Sequence, residues 1–203
     1  MADSRTISGD DDEPQEEKQG RGPRSLEDRL LKSRTIALFE PITPRSSRRV
    51  VTSLLVLDAE DPKAAVTLLV NSPGGSVDDG FAIYDAMRYV RCPVRVVCIG
   101  LAASAANIVL LGAPKSSRFA LPNTRILLHQ PSTGAAGQAS DLAITAREIL
   151  KTRAQLNGLL AKETGQKLER IEEDTNRDYW LSADEAKEYG LIHRVISKTS
   201  DIA

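Results

Sequence analysis

Cysteine, histidine and aromatic residues are scarce in this chain of 203 residues, which has two cysteines, two histidines and one tryptophan. So small a supply of Cys and His side chains argues against a structural zinc site, and we expect no metal. We expect Cys92 and Cys98 to be buried, unbridged thiols in a reducing compartment, because a chain of this length needs no disulfide to stabilise its core.

Long apolar runs and an excess of basic charge are also missing. No stretch of 18 or more apolar residues occurs, so we expect no membrane span. The N-terminus has no apolar segment typical of a secretory signal, and its acidity does not suit an organellar transit peptide. The formal net charge is −1, and no basic face stands out, which disfavours nucleic acid as a partner. We therefore expect a cytoplasmic protein without membrane or nucleic-acid partners.

Residues 1–24 differ in composition from the rest of the chain. Within them, residues 9–17 read GDDDEPQEE, with six acidic residues and no basic one. Such a segment buries too little apolar surface to offset the entropy lost on ordering. We predict a flexible acidic tail over residues 1–24 and one globular domain over residues 25–203, which is long enough to form a sizeable core.

The globular part alternates short apolar runs with segments of helical spacing, which predicts a layered α/β fold. Near-continuous apolar runs predict buried parallel strands at residues 65–70 and 94–99, and Gly100 is expected to end the second of these. Further strands are predicted at residues 35–39, 118–120, 125–128 and 191–196. Helices are predicted to begin near Ser25 and Ser104, to cover residues 47–57, 76–90 and 141–162, to end near Thr175, and to follow an N-cap at Ser182.

The two histidines are the first candidates for a general base. His129 ends the apolar strand RILLH, and α/β folds place functional groups at strand ends that face loops. A hydrogen-bonded core histidine is the alternative interpretation. His193 lies among apolar residues in the predicted last strand, and we interpret it as structural.

Ser104 is a candidate nucleophile, placed between a buried strand and a helix in the segment GLAASAAN. A nucleophile on a sharp strand-to-helix turn requires small neighbours, and Ala102 and Ala106 occupy the positions two residues before and after. The N–H of Ala105, in the first helical turn, would point toward negative charge that develops beside the serine. The alternative is a small serine selected for close packing.

The segment NSPGG offers a second backbone donor and leaves the third member of a triad open. The N–H of Gly75 together with that of Ala105 would form a two-donor oxyanion hole, whereas the alternative is an ordinary Pro-Gly turn. A serine needs a base, and the base needs an orienting acid. Spacing does not choose among Asp141, Asp174, Asp178 and Asp184. The residues alone thus indicate a serine hydrolase with acyl-group chemistry and an undetermined substrate.

Five segments, taken in order, resemble the proteolytic-subunit family of the Clp protease (ClpP). They are NSPGG, IGLAAS, RFALPNTRILLHQP, GQASD with the AREIL helix, and RDYWLSADEAKEYGLI, and the resemblance covers roughly residues 26–197. It implies that Ser104 is the nucleophile, His129 the base and Asp178 the acid. It further implies oxyanion donors at the backbone of Gly75 and Ala105, and neither a metal nor an organic cofactor.

The resemblance also implies a fold and an assembly. The fold would be a crotonase-like α/β spiral of ββα units with a protruding handle, matched by residues 134–141 and the helix after them. Two stacked heptameric rings would enclose the active sites, and an AAA+ Clp ATPase unfoldase would thread in unfolded proteins or peptides. Alternatives are a weakly active or non-catalytic subunit of a mixed barrel and a crotonase-like acyl-CoA enzyme.

Four features depart from the family pattern. The family usually has methionine where this chain has Ala105, and two tyrosines where it has Thr67 and Leu69. An acidic residue that helps to bridge the rings is replaced by Asn176, and the acidic tail replaces the family's axial-loop sequence. These departures favour a divergent paralogue that works in a mixed barrel with a second subunit type.

Overall fold

The computed structural model describes residues 25–132, 134 and 136–202, so the predicted tail at residues 1–24 lies outside the described residues. The strands are β1 Thr35–Leu38, β2 Val66–Ser72, β3 Val94–Ala103, β4 Arg118–Ala120, β5 Arg125–Leu128, β6 Tyr179–Ser182 and β7 Arg194–Val195. The α-helices are α1 Leu26–Lys32, α2 Pro44–Glu60, α3 Val77–Tyr89, α4 Ala106–Gly112, α5 Ala139–Thr164, α6 Leu168–Asp174 and α7 Ala183–Tyr189.

The strands form one mixed sheet in the order β1-β2-β3-β4-β7, with β5 beside β3 and β6 beside β5. Every pairing is parallel except that of β5 with β6. Helices connect the parallel strands, as such crossovers require. The predicted layered α/β class is confirmed, and the architecture is consistent with the ClpP fold.

Local sequence signals account for where several helices begin and end. Ser25 and Asp28 form a capping box at the start of α1, as do Ser182 and Glu185 at the start of α7. Gly190 ends α7 with φ of +95°, a backbone conformation that glycine adopts without steric strain. The helix predicted after Ser182 is confirmed with its cap and its end.

Gly100 does not end β3, which contradicts the expectation from sequence. The glycine has φ of +72°, and the strand continues through an irregularity in its pairing with β2 to Ala103. The N–H of Leu101 donates to Asn71 Oδ1 at 3.2 Å, so a side chain of β2 replaces a ladder hydrogen bond there. A glycine in a strand interior often marks such a bulge rather than an end. Because β3 continues, it leads directly into Ser104.

The last third of the chain differs from the sequence-based expectation in two places. The four-residue strand β6 was not predicted, although it pairs along its length with β5. The final strand spans only Arg194–Val195, so His193 lies before it. The His193 side chain is exposed and packs edge-on against Phe119, with ring centroids 6.5 Å apart. This position agrees with a role outside the candidate site.

Alternation along β3 divides the apolar residues between the two faces of the sheet. Val96 and Cys98 belong to the main core, whereas Val97 joins a second, smaller cluster with Phe119 and Ile196. Cys92 and Cys98 are both buried, as predicted, and neither forms a disulfide in the structure. No helix within the described ranges is long and apolar enough to cross a bilayer.

Helix α5 is exposed over its first half and buried only toward its end. Its buried residues are Asn157, Leu160 and Thr164, whereas Ile144 is 51% and Leu150 61% exposed. A helix packed at one end only projects from the body of the domain. This shape agrees with the handle helix that the resemblance implies.

Candidate active site

Ser104 occupies a strained turn between β3 and α4. Its φ of +57° lies in the left-handed region, which is unfavourable for a non-glycine residue by about 1–2 kcal/mol. The Ser104 N–H donates to the Leu127 carbonyl at 3.0 Å, and its own carbonyl accepts from the Asn107 N–H at 3.0 Å. Strained backbone of this kind concentrates at active sites. The turn has the sharp geometry expected for a serine nucleophile.

The NSPGG turn packs directly against this strained serine. A Cβ atom placed on Gly74 would lie 2.5 Å from the Ala103 carbonyl oxygen and 2.7 Å from Ser104 Cβ. Gly74 also has φ of +89°. Glycine is therefore required here both for the close approach and for the backbone conformation.

Two backbone N–H groups near Ser104 have no acceptor in the described structure. Ile42 donates its N–H to Gly74 O and accepts from the Ser76 N–H, which leaves the intervening Gly75 N–H facing away from that bridge. Within residues 25–132, 134 and 136–202, no hydrogen bond uses the N–H of Gly75 or of Ala105 as donor. The Ala105 nitrogen lies 3.0 Å from the Cβ position of Gly74, so the two segments are adjacent. Paired free donors beside a nucleophile are what an oxyanion hole requires.

The predicted base and acid flank two neighbouring strands, since His129 follows β5 and Asp178 precedes β6. β5 pairs with β3 through Ala103 and Leu127, and with β6 through Leu128 and Tyr179. The next residue after β5 is His129, and the residue that precedes β6 is Asp178. Thus Ser104, His129 and Asp178 lie at the ends of three adjacent strands, on the same side of the sheet along the strand direction.

The side chains of these three residues are not joined in the structure. Ser104 and His129 are half-buried and Asp178 is exposed, and among the hydrogen bonds of the described residues none links their side chains. Asp174 is engaged elsewhere, since it accepts from Tyr189 Oη at 2.7 Å. The other two candidate acids, Asp141 and Asp184, lie in the first turns of α5 and α7. The backbone therefore brings Asp178, rather than these three, next to His129.

A pocket opens beside Ser104 and His129, with a cavity volume of about 30 Å³. Its wall is mostly apolar and comes from α3, α4, β5 and α5; the residues that shape it include Val77, Ile108, Leu111, Leu128, Leu156 and Leu160. Two buried asparagines, Asn107 and Asn157, add polar groups. A mostly apolar lining with a few polar groups is the usual character of a ligand-binding pocket.

The pocket residues of α4 and α5 were not identified from the sequence. Asn107 follows Ser104 by three residues and is visible in GLAASAAN, but nothing in the spacing distinguishes it from a residue that only packs. Leu156 and Asn157 lie more than 50 positions after Ser104 in the chain, and only the packing of α5 beside α4 brings them close to it. No signal in one sequence could have found them.

In the part of the chain that the structure describes, no group of three or more His, Cys, Asp or Glu side chains could hold a metal ion. Comparison with protein families gives one match of wide extent. The family model described as Clp protease matches residues 18–199, a range that contains every strand and α-helix given above.

Proposed function

The chain belongs to the Clp protease family, a family of serine-type peptidases, and on that premise we propose that it is the proteolytic subunit of an ATP-dependent Clp protease. It hydrolyses unfolded proteins and peptides as a serine endopeptidase. One observation carries the proposal: Ser104 is held in a left-handed turn at the end of β3, beside the strand ends that bear His129 and Asp178.

The proposed reaction follows the serine-triad template. Ser104 Oγ attacks the peptide carbonyl while His129 takes the hydroxyl proton, and the N–H groups of Gly75 and Ala105 bind the resulting oxyanion. His129 then gives the proton to the leaving amine, which yields an acyl-enzyme. Water, deprotonated by the same histidine, releases the acyl group and regenerates Ser104. Asp178 orients His129 and stabilises its charged form.

Closure of the triad is part of this proposal. Catalytic hydrogen bonds in ligand-free enzymes are often long and tighten only when the substrate is bound. Strand register brings the three residues to neighbouring strand ends, and in this proposal side-chain rotation and small loop movements join them. We assign that step to substrate binding and assembly.

Assembly and partners follow from the same proposal. Two stacked heptameric rings, alone or mixed with a second paralogue, would enclose the Ser104 sites, and the exposed first half of α5 would serve as the handle between rings. An AAA+ Clp ATPase unfoldase would dock on the ring face. Leu69, one of the positions at which the family usually has tyrosine, packs against the second apolar cluster with Val97 and Phe119, so an apolar docking segment is the chemistry that suits this face. The proposed location is the cytoplasm.

Covalent labelling tests the nucleophile directly. A fluorophosphonate probe, followed by peptide mass spectrometry, should place its adduct on Ser104, and both labelling and peptide cleavage should be lost in Ser104→Ala. Ser116→Ala is the matched control, because Ser116 is exposed and lies away from the pocket. It should label and cleave like the parent protein.

Assembly is varied in the same assay. Labelling that appears only after addition of a second ClpP-type subunit or an ATPase would support activation on assembly. Persistent absence of an adduct in all these mixtures would overturn the proposal of an active peptidase and favour a non-catalytic subunit.

A further inference from the structure

Asn107 places a buried amide in the wall of the pocket, three residues after the nucleophile. The residue is 4% exposed and lies in the first turn of α4. Its Nδ2 donates to the Leu127 carbonyl at 2.7 Å and to the Ser104 carbonyl at 3.2 Å. The amide thus connects the turn that carries the nucleophile to the strand that precedes His129.

These two contacts fix which end of the amide is nitrogen. Both partners are carbonyl oxygens, which only accept hydrogen bonds, so the opposite orientation would set Asn107 Oδ1 against two acceptors. Oδ1 must therefore point away from them. It is fully buried and, among the described residues, is the one buried side-chain N or O atom without a hydrogen-bond partner.

Stability of the turn does not explain why this amide is present. The Ser104 carbonyl already accepts from the Asn107 backbone N–H, and the Leu127 carbonyl already accepts from the Ser104 N–H, both at 3.0 Å. An alanine or leucine at position 107 would leave both carbonyls with a donor. A buried acceptor without a partner is destabilising, so a donor from a bound ligand or a water would stabilise this oxygen.

The second asparagine of the pocket shows the contrast. Asn157 is 2% exposed, and its Oδ1 accepts from Thr175 Oγ1 at 3.2 Å. Its acceptor is thus satisfied within the protein. Of the two asparagines that line the pocket, only Asn107 has a buried side-chain oxygen without a partner among the described residues.

We infer that Asn107 is a specificity-determining residue, whose Oδ1 accepts a hydrogen bond from the substrate side chain that enters the pocket beside Ser104. This inference rests on the proposed peptidase function and names its substrate class. The favoured side chain has an apolar body, which the leucine and isoleucine side chains of the wall contact, and one O–H or N–H donor that reaches Asn107. A purely aliphatic side chain of the same shape would leave Oδ1 buried without a partner.

Paired substrates of equal shape test the inference. Two pairs of fluorogenic peptides differ only in the residue before the scissile bond: threonine against valine, and asparagine against leucine. Their kcat/KM values are measured with the full-length protein in its active assembly. The donor-bearing member of each pair should be favoured by about two- to tenfold, the size of one neutral hydrogen bond. In Asn107→Ala and Asn107→Leu this preference should disappear, because neither side chain has an acceptor.

Ile108→Val is the matched control, since Ile108 lies next to Asn107 on α4 and lines the same pocket. It should change both rates of a pair together and leave their ratio as in the parent protein. A parent enzyme that favours the aliphatic member of both pairs, or a ratio that survives in either Asn107 variant, would overturn the inference. The parent measurement decides even where a variant does not fold. Absence of fluorophosphonate labelling at Ser104 in the parent protein would instead overturn the proposed function, on which the inference depends.

Discussion

Leu128 pairs with Tyr179 at the end of the antiparallel ladder between β5 and β6. Residues opposite one another in such a ladder have Cα atoms about 4.5–5.5 Å apart. His129 follows Leu128 and Asp178 precedes Tyr179, so this single pair sets the proposed base beside the proposed acid. The same strand, β5, is held to the nucleophile turn because Leu127 O accepts the Ser104 N–H.

Replacement of Asp178 tests this relationship. Asp178→Asn preserves the shape of the side chain but removes the charge that orients and stabilises the histidine, and kcat should fall by about 10,000-fold. Thermal unfolding should be nearly unchanged, because Asp178 is exposed. Steady-state peptide cleavage is the measurement, and Asp184→Asn, in the first turn of α7, is the control that should retain activity. A loss of less than tenfold in Asp178→Asn would exclude Asp178 as the acid.

Gly74→Ala should disrupt the turn that carries Ser104. The new Cβ would lie 2.5 Å from Ala103 O, at a backbone φ of +89° that alanine disfavours. We expect an unfolding free energy lower by about 1–3 kcal/mol and a loss of labelling at Ser104, since the turn must shift. Urea denaturation and fluorophosphonate labelling measure the two effects.

Gly158→Ala is the matched control for that substitution. Gly158 lies within α5, and a Cβ there would meet nothing within 4 Å. Alanine should stabilise the helix by about 0.5–1 kcal/mol, with labelling unchanged. If the two variants had the same stability and the same labelling at Ser104, the close contact between Gly74 and Ser104 would not be needed for function.

Arg118→Met should be destabilising. Arg118 is fully buried and forms an ion pair with Glu163, while its Nε and Nη2 donate to Ala113 O at 2.8 Å and Leu111 O at 3.1 Å. The substitution removes these buried hydrogen bonds and the ion pair, whereas Glu163 keeps its second ion pair, with Arg88 at 3.1 Å. We therefore expect the unfolding free energy to fall by about 1–3 kcal/mol.

The control for Arg118→Met is Lys151→Met, which removes an ion pair with Glu148 on the exposed surface of α5. Exposed pairs contribute about 0–1 kcal/mol, so urea denaturation should show little change. Because Arg118 connects the end of α4 to the end of α5, its loss should also weaken labelling at Ser104. Stability of Arg118→Met within 1 kcal/mol of the parent would contradict the assigned role.

Cys98 should make stability decline at alkaline pH. Burial raises the pKa of the Cys98 thiol to about 12, from a reference value of 9.0. The folded state therefore retains the proton while the unfolded state loses it, and the contribution to stability is complete below pH 9 and is lost as pH rises toward 12. The decline from this group approaches about 1.4 kcal/mol per pH unit.

The measurement compares urea denaturation of the parent with Cys98→Ala between pH 8 and pH 10.5. Other titrations are common to both proteins, so the difference in unfolding free energy should narrow as pH rises above 9. Iodoacetamide should not modify Cys98 in the folded protein over this range. A constant difference, or rapid alkylation of native Cys98, would contradict the burial of this thiol.

The sequence predicted well those features that depend on neighbouring residues. The Ser182 cap and the Gly190 end of α7 were both identified, because a capping box and a left-handed glycine act within a few residues. The strands at residues 118–120 and 125–128 were found with their bounds, since each is a short apolar run. The layered α/β class followed from the alternation of such runs with helical spacing.

Predictions failed where a distant strand decides the local structure. β6, with the sequence YWLS, is as long as β5 but has no run of aliphatic residues, and it forms because β5 offers it a partner. Gly100 reads as an end in sequence, yet β3 continues because Asn71 of the neighbouring strand supplies the missing acceptor. Hydrogen bonds between distant segments, unlike helix caps, do not involve residues at a fixed spacing in the sequence.

The candidate site divides in the same way. The sequence by itself determined the nucleophile candidate, the base candidate and the glycine-rich turn, because small residues, a strand-end histidine and a Pro-Gly-Gly segment are visible in the letters. Only the tertiary structure places Asp178, which the family resemblance implied, beside His129 and packs Gly74 against Ser104. It also leaves the side-chain oxygen of Asn107, a residue of the pocket wall, without a partner among the described residues. Each of these depends on strand register and on the packing of α4 and α5, which bring together residues that are distant in the chain.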